Sequence, residues 1–337
     1  MPHSPFVQIR RDRRAGCILL DRPKALNALD LGMIEAIAGA LEAWQDDPSV
    51  HVVVIEGAGG RAFCAGGDIR LIREASMARD SAAIESFFVA EYALNLRIAT
   101  YPKPFVAVVD GICMGGGVGV SVHGAYRVAT ERAVFAMPET GIGLFPDIGA
   151  TYLLPRLRGV VGMYMALTGG RVAGGDAAWA GLATHVVPSA QIAALVEAIA
   201  ADGVCALAMA ADPVAPGRLA SQALAIERCF GASSVLEIVA RLEADSTEWA
   251  RETLATLRAM SPSAVLWTFE LIRQGAGRTL PQCLAAELAF TRHATRHPDF
   301  LEGVRAMVVD KDRAPRWSPP RLEDVDTAAI AAALSPP

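Results

Sequence analysis

The stretch that decides the fold, residues 102–149, reads PKPFVAVVDGICMGGGVGVSVHGAYRVATERAVFAMPETGIGLFPDIG. It begins with an apolar run, continues through consecutive glycines and ends in a segment with two isolated acids, Glu139 and Asp147. The apolar run predicts a buried strand, and the glycines that follow allow the backbone to approach a ligand closely. Backbone N–H donors, together with a carboxyl whose pKa is raised by apolar surroundings, suit chemistry on a carbonyl group.

The regions around this stretch alternate between strand and helix patterns. Strand-like runs are FVQIRR, GCILLD and VHVVVIEG before the stretch, and RAVFAMP within it. Apolar residues at helical spacing predict a helix over residues 30–45 with Asp30 as its N-cap, and a second helix over residues 82–99. A further helix is expected to open in the glycine run. Strands that alternate with helices favour the α/β class, with layers around largely parallel sheets.

The pattern changes near Pro188, since the chain from there to about residue 307 is mostly helical with scattered prolines. We therefore expect a catalytic α/β core over residues 1–188 and a helical C-terminal region over residues 189–337. The tail after Pro315 is rich in proline and serine, and we expect it to lie along the surface or to fray.

The composition excludes several classes of protein. The 337 residues are 53% hydrophobic and 20% charged, which is typical of a well-buried globular chain. A net charge of −5 with interspersed signs leaves no basic face for nucleic acid. The six cysteines are scattered, which is typical of reduced thiols. We see no apolar secretory signal. The apolar run at residues 111–122 is too short to span a bilayer. We expect a cytoplasmic protein without nucleic-acid or membrane partners.

Two glycine-rich turns are the first candidate functional feature. GRAFCAGGDIR, residues 60–70, follows one strand pattern, and residues 114–119 follow another. The second turn lacks both the dinucleotide G-x-G-x-x-G spacing and the P-loop lysine, so we do not expect a phosphate cradle. The two turns can instead supply one N–H each to a developing oxyanion. A tight strand-to-helix turn is the alternative for the first turn alone, and the neighbouring Cys64 and Cys113 read as packing residues.

The acids are the second candidate feature, and each has a plain structural alternative. Glu139 and Asp147 suit general acid–base work, but either could be a turn carboxylate bound by local N–H groups. Glu91 lies on a predicted helix, where a glutamate usually points to solvent. The pair His293 and His297 has the spacing of a helical metal site but lacks its glutamate, so we expect no metal.

Four motifs in order resemble the crotonase (enoyl-CoA hydratase/isomerase) superfamily over residues 6–190. They are LDRPKALNALD, RAFCAGGDI, PKPFVAVVDGICMGGGVG and MPETGIGLFPDIGATYLLPRL. The resemblance implies a coiled β-β-α superhelix that binds an acyl-CoA thioester. By motif position, the backbone N–H groups of Gly67 and Gly116 would hold its carbonyl oxygen. The resemblance implies no separate cofactor, because CoA arrives with the substrate.

The subfamily follows from differences within this superfamily. Hydratases use two glutamates, and this chain has Gly119 at the position of one, whereas Glu139 matches the other. Asp147 stands where many hydratases have a glycine. The motifs MGGGVG, SVHG and EGVRAMVVDKDRAPRW resemble members that hydrolyse short, branched β-hydroxyacyl-CoA thioesters, as in valine catabolism. In those members a helix glutamate in an EYxLN context joins the site, which matches Glu91.

The resemblance also implies roles for the site residues. Glu139 would act as a general base toward water or attack the thioester directly, and Asp147 would hydrogen-bond the substrate's 3-hydroxyl or steer the water. Glu91 would be a second polar contact in the substrate site, along with Gly116, or would adjust the acidity of its neighbours. Weak candidates for contacts to the CoA phosphates are Lys24, Arg61 and Lys311.

Three alternatives stay open from the sequence. The chain could be an enoyl-CoA hydratase, a Δ3,Δ2-enoyl-CoA isomerase with Glu139 as the sole proton shuttle, or an acyl-CoA-binding protein without catalysis. Because family members often form trimers or hexamers, a homo-oligomer of that kind is a further expectation.

Overall fold

A computed structural model describes residues 4–210 and 217–334 and divides the chain into two compact units. Unit 1 takes the described parts of Met1–Asp68, Val89–Ala136 and Val172–Ser221. Unit 2 takes those of Ile69–Phe88, Met137–Arg171 and Gln222–Pro337. The expected boundary between residues 188 and 189 stays a prediction.

Unit 1 is built on two sheets. Its strands are β1 (Val7–Asp12), β2 (Ala15–Leu20), β3 (Val52–Gly57), β4 (Ala62–Cys64), β5 (Phe105–Val109), β6 (Ile112–Met114), β7 (Tyr126–Ala129), β8 (Val134–Ala136), β9 (Val172–Ala173) and β10 (His185–Val186). The first sheet has the order β1-β2-β3-β5-β7-β10 and is parallel except for the β1–β2 hairpin. The second has the order β4-β6-β8-β9 and is parallel except for β8–β9. From β3 to β8, consecutive strands alternate between the two sheets, which confirms the expected β-β-α superhelix.

The helices complete both units. In chain order they are α1 (Leu31–Gln45), α2 (Ile69–Met77), α3 (Ser81–Ala99), α4 (Gly116–Val122), α5 (Ala150–Leu153), α6 (Val161–Thr168), α7 (Gly175–Ala180), α8 (Ile192–Asp202), α9 (Leu207–Ala210), α10 (Arg218–Ser221), α11 (Ala223–Phe230), α12 (Val235–Ala244), α13 (Glu248–Ala259), α14 (Pro262–Gly275), α15 (Leu280–Ala294), α16 (Pro298–Val304) and α17 (Thr327–Leu334). The expected helical character of the C-terminal region is confirmed.

Local sequence signals explain where the early elements begin. Asp30 precedes α1, and its carboxylate accepts a hydrogen bond from the N–H of Met33 at 2.8 Å, which is the predicted N-cap. Strand β5 is buried at every position, as its continuous apolar sequence predicts for a central parallel strand.

One segment of unit 1, Ser189–Ala206, is long and apolar enough by composition to cross a membrane. In the structure, α8 within it packs Leu195, Val196 and Ile199 into a core cluster with Val54 of β3. These apolar side chains are therefore covered by the sheet, as in the core helix of a globular unit.

The described part of the C-terminal tail packs against other elements of unit 2. The indole N–H of Trp317 donates to the backbone oxygen of Ala259 at 3.0 Å. Leu322 and Ile330 are buried, and α17, which the sequence pattern did not predict, contacts α14 and α15.

Candidate active site

The two glycine turns of unit 1 follow neighbouring parallel strands. Strands β4 and β6 pair in parallel with Cys64 opposite Cys113, so the chain leaves both at the same edge of the sheet. The turns that follow bring Gly67 and Gly116 together, because a Cβ atom built on Gly116 would lie 3.1 Å from the nitrogen of Gly67. Two distant turns are thus joined by strand pairing.

The first turn is held in place by a short bridge. The N–H of Leu29 donates to the oxygen of Gly66 at 2.8 Å, and the N–H of Asp68 donates to the oxygen of Leu29 at 2.7 Å. This bridge does not use the N–H of Gly67. Gly66 has a φ of 115°, which favours glycine at that position.

The second turn opens helix α4. Gly115 has a φ of 49°, and Gly116 is the first helical residue, where backbone N–H groups have no intrahelical partner. A side chain on Gly117 would collide with the backbone of Cys64, so this glycine lets α4 lie directly against β4. The N–H groups of Gly67 and Gly116 therefore form a candidate oxyanion hole, whose role stays a prediction.

Glu91 lies beside this candidate hole. Glu91 is on α3 and is only 2% exposed, and its Oε1 atom occupies the space that a Cβ on Gly116 would enter. The solvent-facing alternative for this glutamate is therefore wrong. Burial, with a smaller contribution from Glu91, raises the pKa of the Cys64 thiol to about 12, so this thiol stays protonated and packs as expected.

In unit 2, Glu139 begins a 3₁₀ turn, Glu139–Ile142, and is 6% exposed. Within the described residues, its Oε2 atom has no hydrogen-bond partner. Burial raises the pKa of Glu139 well above its usual range, and the nearby charge of Asp147 raises it further. A carboxylate in this setting is a stronger base than one in water.

The turn that carries Glu139 is fixed by the C-terminal region. The N–H of Ser261 donates to the oxygen of Thr140 at 3.1 Å, and the hydroxyl of Ser261 donates to Asp299 at 2.6 Å. Gly143 ends the turn with a φ of 68°, and a Cβ there would collide with the backbone of Asp299. Only glycine fits this position without strain.

Asp147 is 5% exposed and precedes a strained backbone. Ile148 has a φ of 58°, a left-handed conformation that costs a β-branched residue about 1–3 kcal/mol. Gly149 follows with a φ of 81°. The surroundings of Asp147 must therefore hold this backbone against its local preference.

Glu287 on α15 was not predicted as a site residue, yet it is fully buried near Asp147. It accepts hydrogen bonds from the N–H of Gly149 at 2.7 Å, the N–H of Thr151 at 2.9 Å and the hydroxyl of Thr151 at 2.6 Å. Burial raises its pKa to about 8, with a smaller contribution from Asp147, although the hydrogen bonds oppose the shift. The available signal was its position on the apolar face of residues 283–290.

The structure thus assembles the predicted residues as two groups. Unit 1 brings together Gly67, Gly116 and Glu91, and unit 2 brings Asp147 close enough to Glu139 to affect its pKa. The three proposed CoA contacts, Lys24, Arg61 and Lys311, are exposed, and their role stays a prediction. Among residues 4–210 and 217–334, no cluster of three or more possible metal ligands occurs.

Comparisons with known proteins identify relatives of this chain. The enoyl-CoA hydratase/isomerase family profile matches residues 15–334. The mitochondrial 3-hydroxyisobutyryl-CoA hydrolase of Xenopus laevis is 46% identical over 323 residues, covering 92% of this chain and 84% of the relative. The human protein of that name is 44% identical over 331 residues, covering 95% and 86%.

A solved structure has the same architecture. The crystal structure of a carnitinyl-CoA dehydratase from Mycobacterium thermoresistibile superposes with a TM-score of 0.95 at 40% identity. The match covers 99% of this chain and 97% of that one.

The expected cytoplasmic location is contradicted by these comparisons, because both curated relatives are named mitochondrial. The expectation rested on reduced cysteines and on the lack of an apolar secretory signal. All six cysteines are indeed free in the structure, and Cys205 alone among them is exposed. Neither feature separates the cytoplasm from the mitochondrion, since mitochondrial targeting segments are amphipathic and not apolar.

Proposed function

Because the chain belongs to the enoyl-CoA hydratase/isomerase family, we propose that it hydrolyses 3-hydroxyisobutyryl-CoA to 3-hydroxyisobutyrate and CoA. The observation that carries this proposal is the buried pair Glu139 and Asp147, in a chain whose Gly119 replaces the second hydratase acid. The names of relatives at 42–46% identity support the same substrate.

In this proposal the two glycine turns bind the thioester carbonyl. The N–H groups of Gly67 and Gly116 donate to its oxygen, which becomes negative when a nucleophile adds to the carbon. Their close approach, 3.1 Å from the Gly67 nitrogen to a Cβ position on Gly116, supports one shared oxygen. One such donor contributes on the order of 100- to 1,000-fold in rate.

Glu139 supplies the carboxylate that acts in thioester hydrolysis, either as a base or as a nucleophile. As a base it takes a proton from water while the water oxygen bonds to the carbonyl carbon; the C–S bond then breaks, and the sulfur takes the electron pair and a proton. As a nucleophile it displaces the CoA thiolate to form a mixed anhydride, which water cleaves. Both routes consume one water and yield the free acid and CoA.

Asp147 supplies selectivity for the acyl group by accepting a hydrogen bond from its 3-hydroxyl. A buried acceptor of this kind rejects a substrate that lacks the donor, because the carboxylate is then left unpaired. Glu91 is a second polar contact near Gly116. We assign the CoA phosphates to Lys24, Arg61 and Lys311, and the reaction itself needs no further cofactor. A trimeric or hexameric assembly is part of the proposal.

The proposal is tested with two substrates. Purified protein is given 3-hydroxyisobutyryl-CoA with a thiol-reactive dye, and separately crotonyl-CoA with the enoyl absorbance monitored. We expect rapid CoA release from the first substrate and little change in the second. Hydration of crotonyl-CoA without CoA release would identify a hydratase and overturn the proposal, and binding of both without reaction would identify a non-catalytic protein.

A further inference from the structure

Glu287 binds the backbone that directly follows Asp147. Its two carboxyl oxygens accept three hydrogen bonds: Oε2 accepts from the N–H of Gly149, and Oε1 accepts from the N–H and the hydroxyl of Thr151. Glu287 itself is on α15, 136 residues further along the chain than Thr151, and has no exposed surface. The C-terminal region thus reaches the loop of a proposed substrate-contacting acid.

The loop from Asp147 to the start of α5 has few local features that stabilise its conformation. Helix α5, which begins at Ala150, has only four residues, and its N-cap Gly149 offers no side-chain oxygen. A helix of this length is unstable without outside contacts. Ile148 before it is in a left-handed conformation that a β-branched residue avoids. The Glu287 carboxyl group takes the place of the missing cap and accepts hydrogen bonds from two N–H groups at the start of the helix.

We propose that Glu287 is a positioning residue that fixes the backbone carrying Asp147 and thereby orients the Asp147 carboxylate toward the substrate. The inference rests on the proposed function, in which Asp147 contacts the acyl group. Glu287 touches no substrate in this account and acts through Asp147 alone.

Substitution of Glu287 by Gln tests the geometry with almost no change in volume. Glutamine has one acceptor oxygen, so its NH₂ group must face an N–H donor of Gly149 or Thr151, and one of these groups loses its partner. We expect Glu287→Gln to lower kcat for 3-hydroxyisobutyryl-CoA by about 10- to 100-fold, since a shift of about 1 Å in a group that positions the substrate can lower the rate by about 100-fold.

A double-mutant cycle with Asp147→Asn separates positioning from general damage. If Glu287 acts through Asp147, Glu287→Gln changes turnover by less than about twofold when Asp147 is already Asn. The same cycle is measured with the dissociation constant of the non-hydrolysable thioether analogue of 3-hydroxyisobutyryl-CoA. This measurement also covers variants that have no turnover. The proposal would be overturned if Glu287→Gln lowered turnover by the same factor in wild type and in Asp147→Asn.

Two further variants complete the experiment. Asp176→Asn is the matched control, because Asp176 is also buried and accepts from three N–H groups, those of Gly217, Leu219 and Ala220, at 2.8–3.1 Å. We expect it to lower the thermal midpoint but to keep turnover within about twofold of wild type. If Glu287→Gln does not fold, Thr151→Val replaces it in the same cycle, since this change removes only the hydroxyl donor. Turnover of 3-hydroxyisobutyryl-CoA by the wild type tests the proposed function separately. Absence of that turnover would refute the proposed function, whereas equal effects in the cycle would refute only the role of Glu287.

Discussion

A single methyl group on Gly116 should lower turnover by about 100- to 1,000-fold without unfolding the protein. Gly116 is in helix α4, and its φ lies outside the left-handed region, so alanine fits the backbone there. The added Cβ lies 3.1 Å from the nitrogen of Gly67 and displaces the Oε1 atom of Glu91. An oxyanion bound to Gly67 must occupy that same space, about 2.7–3.1 Å from the nitrogen.

The expected magnitudes differ for catalysis and for folding. Loss of one oxyanion donor lowers kcat by about 100- to 1,000-fold, equivalent to about 2.7–4 kcal/mol of transition-state stabilisation. For folding, alanine in a helix gains about 0.5–1 kcal/mol over glycine, which offsets part of the cost of the contact with Gly67 and of the displaced Glu91 side chain. The free energy of unfolding should therefore fall by no more than about 2 kcal/mol, so the protein stays folded.

The assay measures CoA release from 3-hydroxyisobutyryl-CoA, and urea unfolding measures stability. Gly32→Ala in α1 is the matched control, because its Cβ meets only the Asp30 side chain, at an ordinary 3.4 Å. This control should keep full turnover. If Gly116→Ala retained turnover within about threefold of wild type while folded, the oxyanion hole would not lie at these glycines.

Three other predictions follow from unit 2. Glu139→Gln keeps the shape of the side chain but removes the base, so CoA release should fall by at least about 100-fold while calorimetry shows unchanged binding of the thioether analogue; unchanged turnover would exclude Glu139 from the mechanism. Glu287 has a folded-state pKa raised to about 8 from 4.5, so its contribution to stability is complete below pH 4.5 and is lost as the pH rises toward 8. Urea unfolding between pH 5 and pH 8 should therefore show a steeper loss of stability for wild type than for Glu287→Gln, and equal slopes would contradict the assignment. Gly143→Ala forces a side chain into a left-handed position against the backbone of Asp299 and should lower the unfolding free energy by about 2–4 kcal/mol; a loss below about 0.5 kcal/mol would show that the turn relaxes.

Elements with long periodic patterns were predictable from the sequence, and the two-residue strands were not. The helix after Asp30 and the buried strand β5 have enough residues to show their period and their caps. Strands β9 and β10 have two residues each and exist only because neighbouring strands pair with them. No local pattern can reveal such strands.

The candidate site was predictable where a motif carries it. Gly67, Gly116, Glu139 and Asp147 each stand in a motif, and all four are in or directly after turns that the glycine and proline pattern indicates. Glu287 is different, since it lies inside a regular helix and its role depends on a contact 136 residues away along the chain. Long-range contacts of this kind need the structure.

The most direct test of the central claim is where solvent oxygen enters the products. Protein and 3-hydroxyisobutyryl-CoA are mixed in water labelled with heavy oxygen, and the products are measured by mass spectrometry over many turnovers. Thioester hydrolysis predicts one heavy oxygen in the carboxylate of free 3-hydroxyisobutyrate, together with unlabelled CoA thiol. Heavy oxygen on an acyl group still attached to CoA, without release of the free acid, would show hydration chemistry and contradict the account.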